Sequence, residues 1–482
     1  MISQKLELSD ERLFASTQPE RQVASRLYDH IRDLPIISPH GHTDPAWFAL
    51  NHHFADAASL LVTPDHYILR MLYSQGVALE DLGVSGGKQN GAEARAIWRL
   101  FADHYHLFRG TPTRIWLDHV FHDVFGLRER LSGTTANHYF DQIGEQLATD
   151  DFRPRALMDR FNIELIATTE GALDPLTHHK SLDENWSRRV VTTFRPDDVT
   201  DALRPDFADN VKSLAEITGE DTSSWQGYLQ ALRTRRVDFA AQGATATDHG
   251  PASAQTADLS ATECEALFEK CIGGQASSEE RALFGAQMLT EMAGMSCDDG
   301  MVMQLHAGSH RNHNAALFAS FGADRGADIP MRTDYVSALK PLLDKYGNDP
   351  RLTLILFTLD ETSYARELAP LAGHYPCLKL GPAWWFHDSP EGMLRYRRQT
   401  TETAGFYNTA GFNDDTRAFL SIPARHDVAR RMDCRFLAEL VAQHRMEEDE
   451  AHELAADLAY NLCKQAYRLD GRESGQNVGA AA

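Results

Sequence analysis

About eight short apolar runs, rich in β-branched residues and ending on polar or turn-forming residues, recur along the chain with helical patterns between them. They fall at residues 35–40, 163–168, 190–194, 244–247, 301–306, 352–358, 377–380 and 406–412. Strands that alternate with helices predict parallel βα units, and eight such units are what a closed α/β barrel of the (β/α)8, TIM-type class requires. The run 352–358 is apolar almost throughout, as expected of a strand buried on both faces. The runs 244–247 and 406–412 have the weakest strand character of the set.

Helix boundaries are plainer. Ser260-x-x-Glu263 and Ser277-x-x-Glu280 each predict a capping box at the start of a helix. Residues 201–242 read as two helices, the second stopping before Gly243, a residue suited to a helix C-terminus. Two separations are too long for simple crossovers. After an N-terminal helix and strand one (1–42), residues 43–161 are rich in Leu, Tyr, His and Arg with helical periodicity, which predicts a helical insertion over one end of the barrel. Residues 251–300 predict two extra helices between strands four and five. The remainder of the barrel takes 162–473. Its last part, 427–467, reads as helical and highly charged, open to solvent or to another subunit, and the tail 474–482 reads as disordered.

Composition narrows the partners. Among 482 residues there are 47 Lys and Arg against 69 Asp and Glu, a formal charge of −22. Such a chain repels nucleic acid and anionic membranes, so neither is expected as a partner. An anionic substrate would need local arginines against this background field. The six cysteines show no C-x-x-C pair and no zinc-finger spacing, which reads as free thiols in a reducing compartment. No apolar run approaches the roughly 18 residues that span a bilayer, and the N-terminal stretch lacks a signal-peptide core. The expected location is the cytoplasm.

The clearest chemistry lies in Ile36-Ile-Ser-Pro-His-Gly-His42, at the end of strand one. Residues i and i+2 of a strand point the same way, so His40 and His42 can face one metal ion, with Gly41 leaving room between them. Two histidines are too few for a site, and barrel active sites collect at the strand C-terminal ends. Asp414 or Asp415, after strand eight, can supply a carboxylate, and spacing alone does not separate the two. His306, closing strand five, is a further ligand or a supporting group. His310 and His313 read as polar residues on a loop.

Six motifs occur in one order along the chain: His40-Gly-His42, Asp65-His-Tyr67, Arg195-Pro-Asp197, Gln304-x-His306-x-Gly308, Trp384-Trp-Phe386 and Asp415-Thr-Arg417-x-Phe-Leu-Ser421. From about residue 20 to about 470 the chain resembles the uronate isomerases of the amidohydrolase superfamily. That resemblance implies an aldose–ketose isomerase that converts D-glucuronate to D-fructuronate or D-galacturonate to D-tagaturonate. It implies His40, His42 and Asp415 as ligands of one divalent metal, zinc first, with manganese, cobalt or ferrous iron also suited to such a donor set. His306, His66, Arg195 and Trp385 fall on substrate-binding positions, and Asp415, Tyr67 and Arg417 on catalytic ones. A carbon-acid base, either Asp415 or Tyr67, and arginines for the uronate carboxylate suit a reaction that passes through an enediolate.

The departures from the family pattern lie on loops: Thr43, Glu170-Gly171, His310, His313, Asn413-Asp414 and Ile422-Pro423. Residues 244–249 hold no lysine to bridge two metals, so a single ion is expected. Two alternatives remain, a mononuclear sugar-acid lactonase and an inactive sugar-acid-binding barrel. A homo-oligomer is open.

Overall fold

The computed structural model describes residues 5–85 and 93–469; the expected disordered tail, 474–482, lies outside them. Among the described residues, one parallel sheet joins β1 (Ile36–Ser38), β2 (Ile163–Gly171), β3 (Val190–Arg195), β4 (Ala246–His249), β5 (Val302–Ala307), β8 (Leu354–Thr358) and β9 (Leu378–Leu380) in chain order. A short antiparallel pair, β6 (Ser309–His310) with β7 (Ile329–Pro330), lies in the excursion between β5 and β8. The sheet curls into a barrel of the TIM type, with helices around it.

Alternation along the strands shows how the barrel is filled. Ile37, Leu165, Val191, Val302, Ile355 and Phe357 share one interior cluster. Their neighbours Met303, Leu305, Leu354 and Leu356 pack instead with the surrounding helices. This is the period-two pattern of a sheet buried on both faces. Tyr467 and Cys463, from the C-terminal helical segment, join the interior cluster.

The eighth predicted strand is a correction. Of 406–412, Thr409 alone bridges β9, at Leu380, flanked by hydrogen bonds from Leu380 N to Asn408 O and from Ala410 N to Leu380 O, each 2.8 Å. Gly411 explains the short ladder: its φ is +74°, and a Cβ there would meet Cys463 N at 2.9 Å. The chain turns against the C-terminal helix instead of extending. Further along, one backbone hydrogen bond links this segment to the one after β1, from His42 N to Thr416 O at 3.0 Å.

Between β1 and β2, helices run from Pro45–Leu50 to Pro154–Arg160. They share an apolar core around Trp98, Phe101, Tyr105, Phe121 and Tyr139 that also takes in Ile36, Ile163, Ile166 and Val190 from the strands. The extra helices between β4 and β5 are Ala261–Ile272 and Ser278–Asp299, each opened by its capping box.

The charged C-terminal stretch differs from expectation. Helix Ile422–Ala442 buries Arg425, His426, Asp427, Arg430 and Arg431. It packs on helix Gln18–Ile31, and Arg430 donates to the carbonyls of Arg32, Leu34 and Pro35 at 2.8–2.9 Å. Those charges satisfy backbone and carboxylate partners inside the molecule, so they are withdrawn from solvent.

Candidate active site

The C-terminal ends of the strands bring the predicted ligands together. His40 Nε2 lies 3.5 Å and His42 Nε2 3.2 Å from Asp415 Oδ1. Asp415 Oδ2 accepts from Trp384 Nε1 at 2.5 Å. Asp414, the other aspartate of the pair, turns away to His426 Nε2 at 3.1 Å. Asp415 adopts φ +37°, in the left-handed region that a non-glycine residue enters at a cost on the order of 1 kcal/mol, and the kink presents its carboxylate to the histidines.

A second group adjoins the first. The His306 ring stacks on His40 with centroids 4.7 Å apart, and its Nδ1 lies 2.7 Å from Asp248 Oδ1. Asp248, at the end of β4, also receives Arg195 Nη1 at 2.9 Å. Arg195 Nε is held by Asp197 at 2.9 Å, and Gly250 closes against Nη2, where a Cβ would sit 2.2 Å away. This arginine is pinned between two carboxylates and has little freedom to swing.

Helix His66–Ser74 of the insertion supplies another part of the lining. Asp65 caps it through Tyr67 N and Ile68 N, which fixes where His66 and Tyr67 enter the site. The Tyr67 hydroxyl donates to Asp388 Oδ1 at 2.7 Å and accepts from Phe386 N at 3.2 Å. The His66 ring meets Trp385 edge-on at 5.0 Å. Arg417, partly buried, pairs with exposed Asp324 at 3.0 Å.

All nine predicted site residues, His40, His42, His66, Tyr67, Arg195, His306, Trp385, Asp415 and Arg417, line one cavity of about 660 Å³. His310 and His313 lie beside each other, with ring centroids 5.0 Å apart, and do not line it. Asp248, Asp388 and Arg425 were not singled out in the sequence, and Trp384 was named only as part of its motif; each lines it too. The Asp-His pair closing β4 was the available signal for Asp248. Asp388 and Arg425 had none, because their partners are remote in the chain.

Protonation follows from burial and charge. Burial pushes the Asp415 carboxyl up, but His40, His42 and His306 outweigh it and hold it below the ordinary carboxylate range. Burial, with Arg417 and Arg425 nearby, lowers His66 to about 3, so its ring stays neutral. Burial and the Asp388 charge raise Tyr67 well above the ordinary phenol value.

The arrangement fits a divalent cation. Ligand atoms of His40, His42 and Asp415 lie within 4.8 Å of one another, as do those of His40, Asp248 and His306. His306 Nε2 is buried without a hydrogen-bond partner, which leaves an imidazole nitrogen free beside the first group. Two imidazoles and a carboxylate suit zinc and other first-row divalent ions.

Comparison with known proteins decides the family. The family model described as glucuronate isomerase matches residues 13–467. The chain belongs to that family. A uronate isomerase of Rhizorhabdus wittichii is 63% identical over 470 residues, 97% of this chain and 100% of the relative. One of Phenylobacterium zucineum is 62% identical over 471 residues, 97% and 98% of the two chains. The crystal structure of glucuronate isomerase from Caulobacter crescentus superposes with a TM-score of 0.95 at 58% identity, covering 99% of this chain and 100% of that one. Uronate isomerase from Thermotoga maritima gives a TM-score of 0.89 at 26% identity, covering 96% and 99%. Among the described residues no helix is long and apolar enough to cross a membrane.

Proposed function

We propose that this chain isomerises a hexuronate between its aldose and ketose forms, D-glucuronate to D-fructuronate or D-galacturonate to D-tagaturonate. Membership of the glucuronate isomerase family supports the activity. The observation that carries the mechanism is one cavity with an ionised carboxylate, Asp415, on one wall and a neutral phenol, Tyr67, on another. Isomerisation takes a proton from C2, returns one to C1, and moves a hydroxyl proton between the two oxygens. It needs a carbon-acid base and a separate group that handles the hydroxyl proton.

We assign the base to Asp415, whose carboxylate is ionised and oriented by Trp384. Tyr67, which holds its own proton at rest, handles the hydroxyl. Arg417 has one exposed carboxylate partner and can turn to the uronate carboxylate in the bidentate manner of arginine. Arg195, pinned by Asp197 and Asp248, contributes fixed positive charge toward the developing enediolate. His66 and Trp385 shape the wall for the sugar, and His306 stands beside the ligands. His40, His42 and Asp415 would hold the divalent cation, zinc in our reading. When bound, such an ion draws electron density from the substrate oxygens it faces. We further place the protein in the cytoplasm, consistent with six buried, unpaired cysteines, and leave room for a homo-oligomer.

Incubation of the purified protein with D-glucuronate and with D-galacturonate, followed by detection of ketose, tests the assignment. Ketose from either substrate supports it. Hydrolysis of a sugar-acid lactone without ketose formation overturns it in favour of the lactonase. Tight binding without turnover overturns it in favour of the inactive barrel.

A further inference from the structure

We propose that Asp388, held by Arg425, positions the hydroxyl proton of Tyr67 and takes that proton up during turnover. The inference rests on the isomerase reading and assigns a part to two residues that reading leaves unused.

The Tyr67 hydroxyl has one proton and two lone pairs. The proton goes to Asp388 Oδ1 at 2.7 Å, and one lone pair accepts from Phe386 N at 3.2 Å. Phe386 sits at φ +70°, a left-handed conformation that aims this amide at the phenol. One lone pair remains for the substrate. In its resting state, then, Tyr67 can accept a hydrogen bond from a substrate hydroxyl but has no second proton to give.

The other Asp388 oxygen receives Arg425 Nη1 at 3.0 Å. Arg425 is fixed in turn by Ser421 Oγ at 3.2 Å and by the Trp116 ring, whose centroid lies 3.6 Å from the guanidinium carbon. The groups facing this pair are Asp65, whose carboxylate is taken by Tyr67 N and Ile68 N, and Tyr67 itself. Burial raises the Asp388 carboxyl above its ordinary range, although Arg425 opposes that shift, so the carboxylate takes up a proton more readily than an exposed one.

The step balances without any other reagent. A substrate hydroxyl passes its proton to the free lone pair of Tyr67 while Tyr67 passes its own to Asp388 Oδ1. The substrate oxygen keeps the bonding electron pair, and Asp388 becomes neutral. On the return, Tyr67 protonates the neighbouring substrate oxygen and recovers its proton from Asp388.

Asp388→Asn keeps the shape and can still accept from Tyr67, but it cannot store the proton. We expect its kcat to fall by about 100-fold with KM within about threefold of wild type. Metal content and circular dichroism should be unchanged. Added to Tyr67→Phe, the same substitution should cost less than about twofold more, because both act on one proton path. An Asp388→Asn protein within about twofold of wild type overturns the inference. So does an Asp388→Asn loss that multiplies with that of Tyr67→Phe. If Asp388→Asn does not fold, Arg425→Lys gives the second reading: about a tenfold lower kcat at unchanged KM supports the inference, and unchanged kcat overturns it. Wild-type turnover of D-glucuronate, measured alongside, separates the two levels. Its absence removes the isomerase reading itself, whereas its presence with an unaffected Asp388→Asn removes this inference alone.

Discussion

The two walls of the cavity are built in different ways. One wall is carried by strand ends, and sheet register sets it: Asp248 pairs with Gln304, and His306 with Phe357, across neighbouring strands. The other is carried by the capped start of a helix in the insertion and by the loop after β9, joined by side chains 321 residues apart in Tyr67 and Asp388. The strand-borne wall gathers imidazoles and carboxylates suited to a cation. The helix-borne wall gathers a phenol, a carboxylate and aromatic rings suited to moving a proton and seating a sugar. This division teaches that the candidate cation ligands and the proposed carbon-acid base come from the barrel, while the phenol proposed to handle the hydroxyl proton depends on how the insertion docks on it.

Breaking the comparison on the strand side should have the largest effect. Asp415→Asn is expected to lower kcat by about 10³-fold or more with the fold intact by circular dichroism. Near wild-type activity would move the base role to Tyr67. On the insertion side, Trp98 is fully buried among Phe101 and Phe121, with its Nε1 on Ala136 O at 3.0 Å. Trp98→Ala should cost about 3–5 kcal/mol in thermal or denaturant unfolding. It should also lower turnover at temperatures where metal content is unchanged, and simultaneous metal loss would show that the two walls are not separable.

Glu170 sharpens the comparison within the barrel sheet, at a residue that does not line the cavity. It is buried at the end of β2, accepts from Thr192, and burial raises its carboxyl to about 7. A carboxyl raised on folding leaves stability full below its unfolded value, near 4.5, and stability falls as pH climbs through about 7. Glu170→Gln should therefore be more stable than wild type at pH 8, by roughly 1–3 kcal/mol, with the difference vanishing below about pH 4.5. Melting temperatures across that range check the sign. The smallest effect belongs to the rim: Asp324→Asn breaks an exposed pair with Arg417 and should change stability by less than about 1 kcal/mol. Its measurable consequence should be a shift in KM for the uronate as Arg417 is freed.

The same division governs how much the sequence could reveal. His40 and His42 were legible because an H-x-H pair at a strand end is a local signal, although β1 stops at Ser38 and both histidines lie just beyond it. The barrel was legible because six of its strands are apolar enough to be read alone, whereas β4 was read only from its place in the series. Thr409 shows the limit, since a ladder interrupted by Gly411 and the approach of Cys463 leaves no strand pattern. Spacing alone could not tell Asp415 from Asp414, because the choice lies in a backbone kink at Asp415, and only the family resemblance chose Asp415. Tyr67 and His66 entered through ordered motifs that resemble a family, and Asp388 and Arg425 did not enter at all. Their role exists only where a helix from the insertion meets the loop after β9 and the start of the C-terminal helix. The charged residues of that helix read as facing solvent or another subunit because charge alone does not reveal that carbonyls and carboxylates wait for it inside.

The most direct test of the division is metal content and turnover measured on the same preparations of His40→Ala and Tyr67→Phe. The account predicts that His40→Ala loses most of its metal by elemental analysis, and its turnover with it. Tyr67→Phe should keep a wild-type complement of metal and lose about 100-fold in kcat. Loss of metal from Tyr67→Phe, or full metal retention by His40→Ala, would contradict it.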